Sequence, residues 1–261
     1  MNRKVEIEIT KPTSRVVCRP ASVCGIAEPP PMKIRTGADT ELHEKKSTEE
    51  AEAVLFSLAR AVELRDLHTA GHCERLAVTG VALGVAMGLG SDQLLALYLG
   101  GYLHDIGKVG IPDSILLKTA SLTADEWAIM RTHPACGEEI CRPLQSLQPV
   151  LPIIRHHHER LDGTGYPDGL SGDAFPLLAR IMQVADIYDA LTNPRPYKQA
   201  YNRTRALEIL EEEAARGWRD RDITRLFVRL HKRVHAKLAG HRPLAGPVQQ
   251  GLANLREYLG Q

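Results

Sequence analysis

The sequence predicts an all-α fold, a helical bundle, on three observations. Apolar residues recur at helical spacing from Ser47 to about residue 240, no series of alternating strands interrupts them, and helix-start signals precede several of the runs. Ser47-Thr-Glu-Glu opens the first helix, where Val54, Leu55, Leu58 and Val62 repeat at helical spacing. Further helices are expected over about 69–88, 91–107, 123–140, 148–158, 177–192, 203–216 and 220–239. Thr123 and Glu126 stand at the spacing of a capping box, in which each side chain satisfies a backbone N–H of the other at a helix start.

The flanks read differently. Residues 1–46 mix charges with a proline run, Pro29 to Pro31, and hold no period over a useful length, apart from one short strand at Val5-Glu-Ile-Glu-Ile-Thr. They are expected to form a flexible or adaptor arm, residues 47–240 the core domain, and residues 241–261 a short helical tail.

Composition narrows the function classes. The apolar fraction of 43% is that of a chain with a real core. The 33 basic and 32 acidic residues nearly cancel, which gives no reason to expect bulk nucleic acid or an anionic membrane as a partner. A compact anion held by a few placed cations remains open. The longest apolar stretch, Leu76 to Gly90, contains four glycines and is shorter than the roughly 18–20 residues that span a bilayer. The N-terminus carries acids where a secretion signal needs an apolar run, and the five cysteines match neither a zinc nor a redox spacing, so a cytoplasmic protein with reduced thiols is expected.

Histidine is the anomaly. Eight of the eleven histidines lie before residue 159, and several stand beside acids on otherwise apolar helices. Neutral imidazoles suit borderline metals, and neighbouring carboxylates supply the negative charge that holds a dinuclear centre together. Tyr102-Leu-His104-Asp105-Ile-Gly-Lys108 ends an apolar helix, and the two oxygens of Asp105 can face two ions. The competing reading is a solvated helix end with Lys108 complementing the dipole. Arg155-His-His-His-Glu-Arg-Leu-Asp-Gly-Thr-Gly-Tyr-Pro runs a helix into consecutive histidines and then a glycine-rich turn, with Tyr166-Pro167 as a rigid aromatic shelf. Asp186 and Asp189 lie three residues apart on an apolar helix, exposed, paired with an arginine such as Arg180, or ligating a metal. Beyond them Arg195-Pro-Tyr-Lys198 offers two cations suited to phosphate oxygens, although as an isolated segment it reads as a solvated loop.

Taken in order, His72 in Thr-Ala-Gly-His-Cys-Glu-Arg, His104-Asp105-Ile-Gly-Lys108, His133, His157-His158-Glu-Arg-Leu-Asp-Gly-Thr-Gly165-Tyr166-Pro167 and Ala-Asp186-Ile-Tyr-Asp-Ala-Leu resemble the HD-GYP family over about residues 50–230. The resemblance implies an HD-type helical bundle with a metal centre between helices, and hydrolysis of cyclic di-GMP to the linear dinucleotide pGpG and on to GMP. It implies two divalent ions, iron or manganese: one held by His72, His104, Asp105 and Asp186, the other by Asp105, His133, His157 and His158, with Asp105 bridging. Two such ions lower the pKa of a bridging water, bind phosphate oxygens and take up leaving-group charge. Asp105 and Lys108 would be catalytic, Lys108 beside the scissile phosphate, and Arg195, Lys198, Gly165, Tyr166 and Pro167 would contact substrate. His68 stands where other members carry Tyr or Glu, so a third metal site stays open if the helix is continuous back from His72, while His156 is expected to be a neighbour rather than a ligand. Cyclic GMP-AMP as substrate, and a non-catalytic sensor that signals to a protein partner through the Gly165-Tyr166-Pro167 surface, also remain open, as does a homodimer through helical faces.

Overall fold

The computed structural model describes residues 37–65, 71–193 and 199–240, together with Gly251, Asn254 and Glu257. Ten α-helices run through these residues: α1 Gly37–Arg65, α2 His72–Ala86, α3 Ser91–Leu103, α4 Asp113–Leu116, α5 Ala124–Met130, α6 His133–Cys141, α7 Leu151–His156, α8 Leu177–Thr192, α9 Arg203–Ala215 and α10 Arg221–Gly240. Short 3-10 turns occupy Ile106–Gly110, Gln145–Leu147 and Gly172–Ala174. Among the described residues there is no strand, only an isolated bridge between Asp162 and Ser171, so the all-α expectation holds. No helix among them is long and apolar enough to cross a membrane.

The centre of the bundle is the α2/α3 pair. Leu76, Ala77, Val81 and Leu83 of α2 and Leu94, Leu97 and Leu103 of α3 are fully buried, and Ile153, Ile154, Ile181, Met182 and Phe227 close around them from α7, α8 and α10. The two backbones approach very closely: a methyl group on Gly101 would lie 2.5 Å from Ala77 Cα. An apolar side chain of this size contributes roughly 1.5–3 kcal/mol when removed from water. That layer therefore fixes the relative placement of the helix ends that carry the histidines.

Several boundaries differ from the periodicity. Helix α1 begins at Gly37, ten residues before Ser47-Thr-Glu-Glu, because nothing in 37–46 breaks a helix once the following turns are formed. The expected 123–140 helix is two helices, since Arg131 and Thr132 form a turn and Pro134 restarts the chain as α6. The capping box is formed: Glu126 N–H donates to Thr123 Oγ1 at 3.3 Å and Thr123 N–H donates to Glu126 Oε2 at 2.7 Å. Helix α3 stops at Leu103 rather than running to 107, and the chain tightens into the 3-10 turn at Ile106. Gly107 is required there, because a side chain at that position would strike the His133 carbonyl of α6. Helix α2 begins at His72 after a left-handed Gly71 with φ of 73°, so it does not continue back from His72 toward position 68. Residues 1–36, with the Val5–Thr10 strand, His68, Arg195 and Lys198, and most of the tail, lie outside the described residues.

Candidate metal centre

Four helix ends and the middle of α8 converge on one buried point. His72 is the first residue of α2, His104 and Asp105 follow α3, His133 is the first residue of α6, His157 and His158 follow α7, and Asp186 comes from α8. Their donor atoms form two groups, His72 with His104 and Asp186, and Asp105 with His133, His157 and His158, each with its ligand atoms within 4.8 Å of one another. Asp105 stands between them. Its Oδ2 lies 3.2 Å from His104 Nε2, and its Oδ1 lies 3.1 Å from His133 Nε2 and 3.7 Å from His157 Nε2. One carboxylate thus turns one oxygen to each group.

Hydrogen bonds on the far side of the rings decide what the near side offers. His104 Nδ1 faces the Gly101 carbonyl at 3.1 Å, His133 Nδ1 the Met130 carbonyl at 2.8 Å, and His157 Nδ1 the Ile154 carbonyl at 2.8 Å. A carbonyl only accepts, so each Nδ1 carries the proton and each Nε2 presents its lone pair inward. His72 Nδ1 donates to Asp189 Oδ2 at 2.7 Å, with the same result. His72 Nε2 then stands 3.3 Å from His104 Nε2, and His133 Nε2 stands 3.4 Å from His157 Nε2. Lone pairs facing one another at such distances repel, and a shared cation relieves them. The buried Asp105 Oδ1 also has no hydrogen-bond partner, which in an apolar surrounding calls for a counter-charge. The residues present fit divalent ions.

Electrostatics keep Asp105, His157 and His158 in their ligating states, whereas for His104 burial favours the neutral ring but the adjacent Asp105 outweighs it and raises the pKa. Burial opposes ionisation of Asp105, but Lys108, with its Nζ 2.6 Å from Oδ2, and His104 outweigh it and hold the carboxyl well below the usual range. Burial lowers the His157 pKa, and burial with neighbouring His157 and His133 holds His158 well below 6.5, so both rings are neutral near pH 7. Burial also opposes ionisation of Asp189, and His72 and Arg75 overcome it.

The loop after α7 is organised by Glu159, which is fully buried. Its carboxylate accepts from the backbone N–H groups of Asp168 at 2.7 Å, Gly169 at 3.1 Å and Leu170 at 3.0 Å, closing the Gly165-Tyr166-Pro167 turn onto the histidines. Gly165 is needed for the same closure, since a Cβ there would collide with the backbone of Glu159 and Arg160. The Tyr166–Pro167 peptide is cis, and the Tyr166 ring lies over His158 with centroids 4.8 Å apart. His156 faces Glu159 and Asp168, away from the two groups. This third His/acid cluster has other work: Glu159 holds the loop and Asp168 pairs with both Arg155 Nε at 2.7 Å and Nη2 at 2.8 Å.

Of the residues singled out in the sequence, the structure brings together His72, His104, Asp105, Lys108, His133, His157, His158 and Asp186, with Tyr166 at their edge. Arg180 pairs with Asp220 at 3.3 Å rather than with Asp186 or Asp189. Asp189 pairs with an arginine, one of the alternatives its position left open, but with Arg75 rather than Arg180; Arg75, Glu159 and Gln183 act here without having been assigned roles, and the Gln183 side-chain amide donates to the Glu159 carbonyl. Position Asp186+3 on a helix was the only available signal for Asp189.

The HD-domain family model matches residues 57–223, more than half of the chain and all of the residues of the two groups. The chain belongs to the HD-domain family. Its HD-GYP resemblance is borne out by a relative, the cyclic di-GMP phosphodiesterase response regulator RpfG of Xanthomonas campestris, 42% identical over 66% of this chain and 46% of that protein. A 3'3'-cGAMP-specific phosphodiesterase 3 of Vibrio cholerae is 37% identical over 62% of this chain and 35% of that protein. The HD domain here therefore spans less than half the length of these curated relatives. Among solved structures, a cyclic GMP-AMP specific phosphodiesterase of V. cholerae superposes with a TM-score of 0.58 at 21% identity, covering 78% of this chain and 53% of that one, a likeness of fold.

Proposed function

We propose that this HD domain is a metal-dependent phosphodiesterase that hydrolyses cyclic di-GMP to linear pGpG, and pGpG on to GMP. The observation that carries the reading is Asp105, whose two oxygens face two histidine groups with inward lone pairs. In this reading His72, His104 and Asp186 hold one divalent ion, His133, His157 and His158 hold the other, and Asp105 joins both; iron or manganese suits this mixed imidazole and carboxylate set. When bound, the ions would activate water and neutralise phosphate charge.

The protein's own groups complete the chemistry. Lys108 donates to Asp105 Oδ2, the carboxylate between the two groups, and from there would stabilise the charge gained by phosphate oxygens or protonate the leaving O3′. Water adds to phosphorus, the P–O3′ bond breaks, and the product keeps a 5′-phosphate and a free 3′-hydroxyl. Tyr166, closed over His158 by Glu159, shields that ring from bulk water and forms one wall of the substrate site. Arg195 and Lys198, beyond the end of α8, would take non-scissile phosphate oxygens. The relative named for 3'3'-cGAMP supports cyclic GMP-AMP as a second substrate.

The test is anaerobic purification, elemental analysis, and chromatography of cyclic di-GMP and cyclic GMP-AMP digests beside an Asp105→Ala variant. Near-stoichiometric iron or manganese, with turnover to pGpG or GMP that Asp105→Ala lowers by at least about a hundred-fold, is expected. Full metal occupancy and tight ligand binding without turnover would replace the enzyme by a sensor.

A further inference from the structure

A cyclic dinucleotide presents one phosphodiester to a metal centre and must rest its bases on surfaces beside it. One such surface leads outward from the ligands. The Tyr166 ring lies over His158, Arg131 stands over the outer Tyr166 ring with its Cζ 5.5 Å from the centroid, and the same guanidinium lies 5.9 Å from the Trp127 ring centroid. Trp127 is 45% exposed, and no residue of α5 is buried, so the indole is not there to pack the core. Among the described residues no carboxylate forms an ion pair with Arg131, whereas Arg155, Arg180, Arg205 and Arg219 each have one. The turn that carries Arg131 is also tied to the centre, because the Met130 carbonyl accepts from His133 Nδ1.

We propose that Trp127 and Arg131 form a base platform that makes the site selective for guanine, Trp127 by stacking and Arg131 by donating two parallel N–H bonds to guanine O6 and N7. The inference rests on the phosphodiesterase reading and extends it to specificity. Every base can stack on an indole, so Trp127 contributes affinity without choosing the base. The guanidinium fork supplies the choice: guanine offers two acceptors on that edge, while adenine replaces one with an amino donor that repels it. Lysine cannot substitute, since a point charge lacks the paired donors.

The experiment compares the metal-loaded full chain with Trp127→Ala, Arg131→Ala and Arg131→Lys, measuring kcat and KM on cyclic di-GMP, cyclic di-AMP and bis(p-nitrophenyl) phosphate, a diester without a base. Trp127→Ala and Arg131→Ala are expected to raise KM for cyclic di-GMP about 10- to 100-fold, with kcat/KM on cyclic di-GMP falling at least about ten-fold relative to that on the chromogenic diester. Arg131→Ala and Arg131→Lys should both reduce the preference for the guanine substrate over the adenine one. Unchanged KM in both alanine variants, or an equal loss on all three substrates, would overturn the platform. Wild-type protein that cleaves the chromogenic diester but neither dinucleotide would instead remove the cyclic-dinucleotide reading beneath it. Unaltered thermal melting of the variants separates these outcomes from misfolding.

Discussion

His72 reaches the centre with its ring turned by Asp189, and Asp189 is gripped in turn by Arg75 through contacts of 2.5 and 3.0 Å and by the Asn193 side chain at 3.1 Å. The carboxylate fixes the Nδ1–H tautomer and makes Nε2 more basic, which is what a carboxylate behind a ligating histidine supplies. Asp189→Asn keeps the shape and removes the charge. The affinity for one ion, the one shared by His72, His104 and Asp186, should fall about 10- to 100-fold while the ion at the other group is retained; a metal titration showing two unaltered sites would refute this. The two His/Asp groups were legible in the sequence because His104-Asp105 and His157-His158 are adjacent and each follows an apolar run. Asp189's task was not, because the ring it holds lies 117 residues away and its spacing from Asp186 fits an exposed acid equally well. Trp127 and Arg131 were silent for the same reason: only the fold brings Arg131, with Trp127 on its other side, over Tyr166.

At the scale of elements, the loop from His158 to Leu170 is held from beneath by Glu159 and from the side by Arg155. Arg155 spans Glu138 of α6 at 2.7 Å and Asp168 of the loop at 2.7 and 2.8 Å. Hydrogen bonds from Arg155 lower the Asp168 pKa; for Glu138 burial opposes ionisation, and Arg155 with Arg142 outweighs it. Carboxyls whose folded-state pKa lies below the unfolded value contribute stability above about pH 4, and that contribution is lost as pH falls through the folded values. Arg155→Ala should therefore lower stability by about 1 kcal/mol at pH 7, a Tm shift of roughly 2–4 °C, and the gap to wild type should narrow at about pH 3, below the unfolded carboxyl values. Melting curves at the two pH values decide it: an equal gap at both would mean the side chain acts by packing. The helices themselves were readable from period and capping, as at Thr123–Glu126. Their breaks were not, since the stop at Leu103 is set by the approach of Gly107 to His133, a contact between α6 and a turn 26 residues earlier.

Across the whole molecule, the centre links α2, the end of α3, α6, the end of α7 and α8, so bound ions would tie together segments spread from residue 72 to residue 186. The apolar α2/α3 layer brings these ends close, yet it leaves facing nitrogen lone pairs and an unpartnered Asp105 oxygen inside the fold. Ions that bind only the folded chain stabilise it by mass action, about 2.7 kcal/mol for each site held at a hundred times its Kd. Stripping the ions with a chelator should thus lower Tm by roughly 5–10 °C per site, and iron or manganese added back should restore it. Asp105→Ala supplies the control, because a chain that has lost the shared ligand has less bound metal to lose, and its melting should respond far less to the chelator. If wild type melted at one temperature with and without chelator while elemental analysis showed the ions gone, the buried histidines would be self-sufficient and the bundle would owe its assembly to the apolar layer alone.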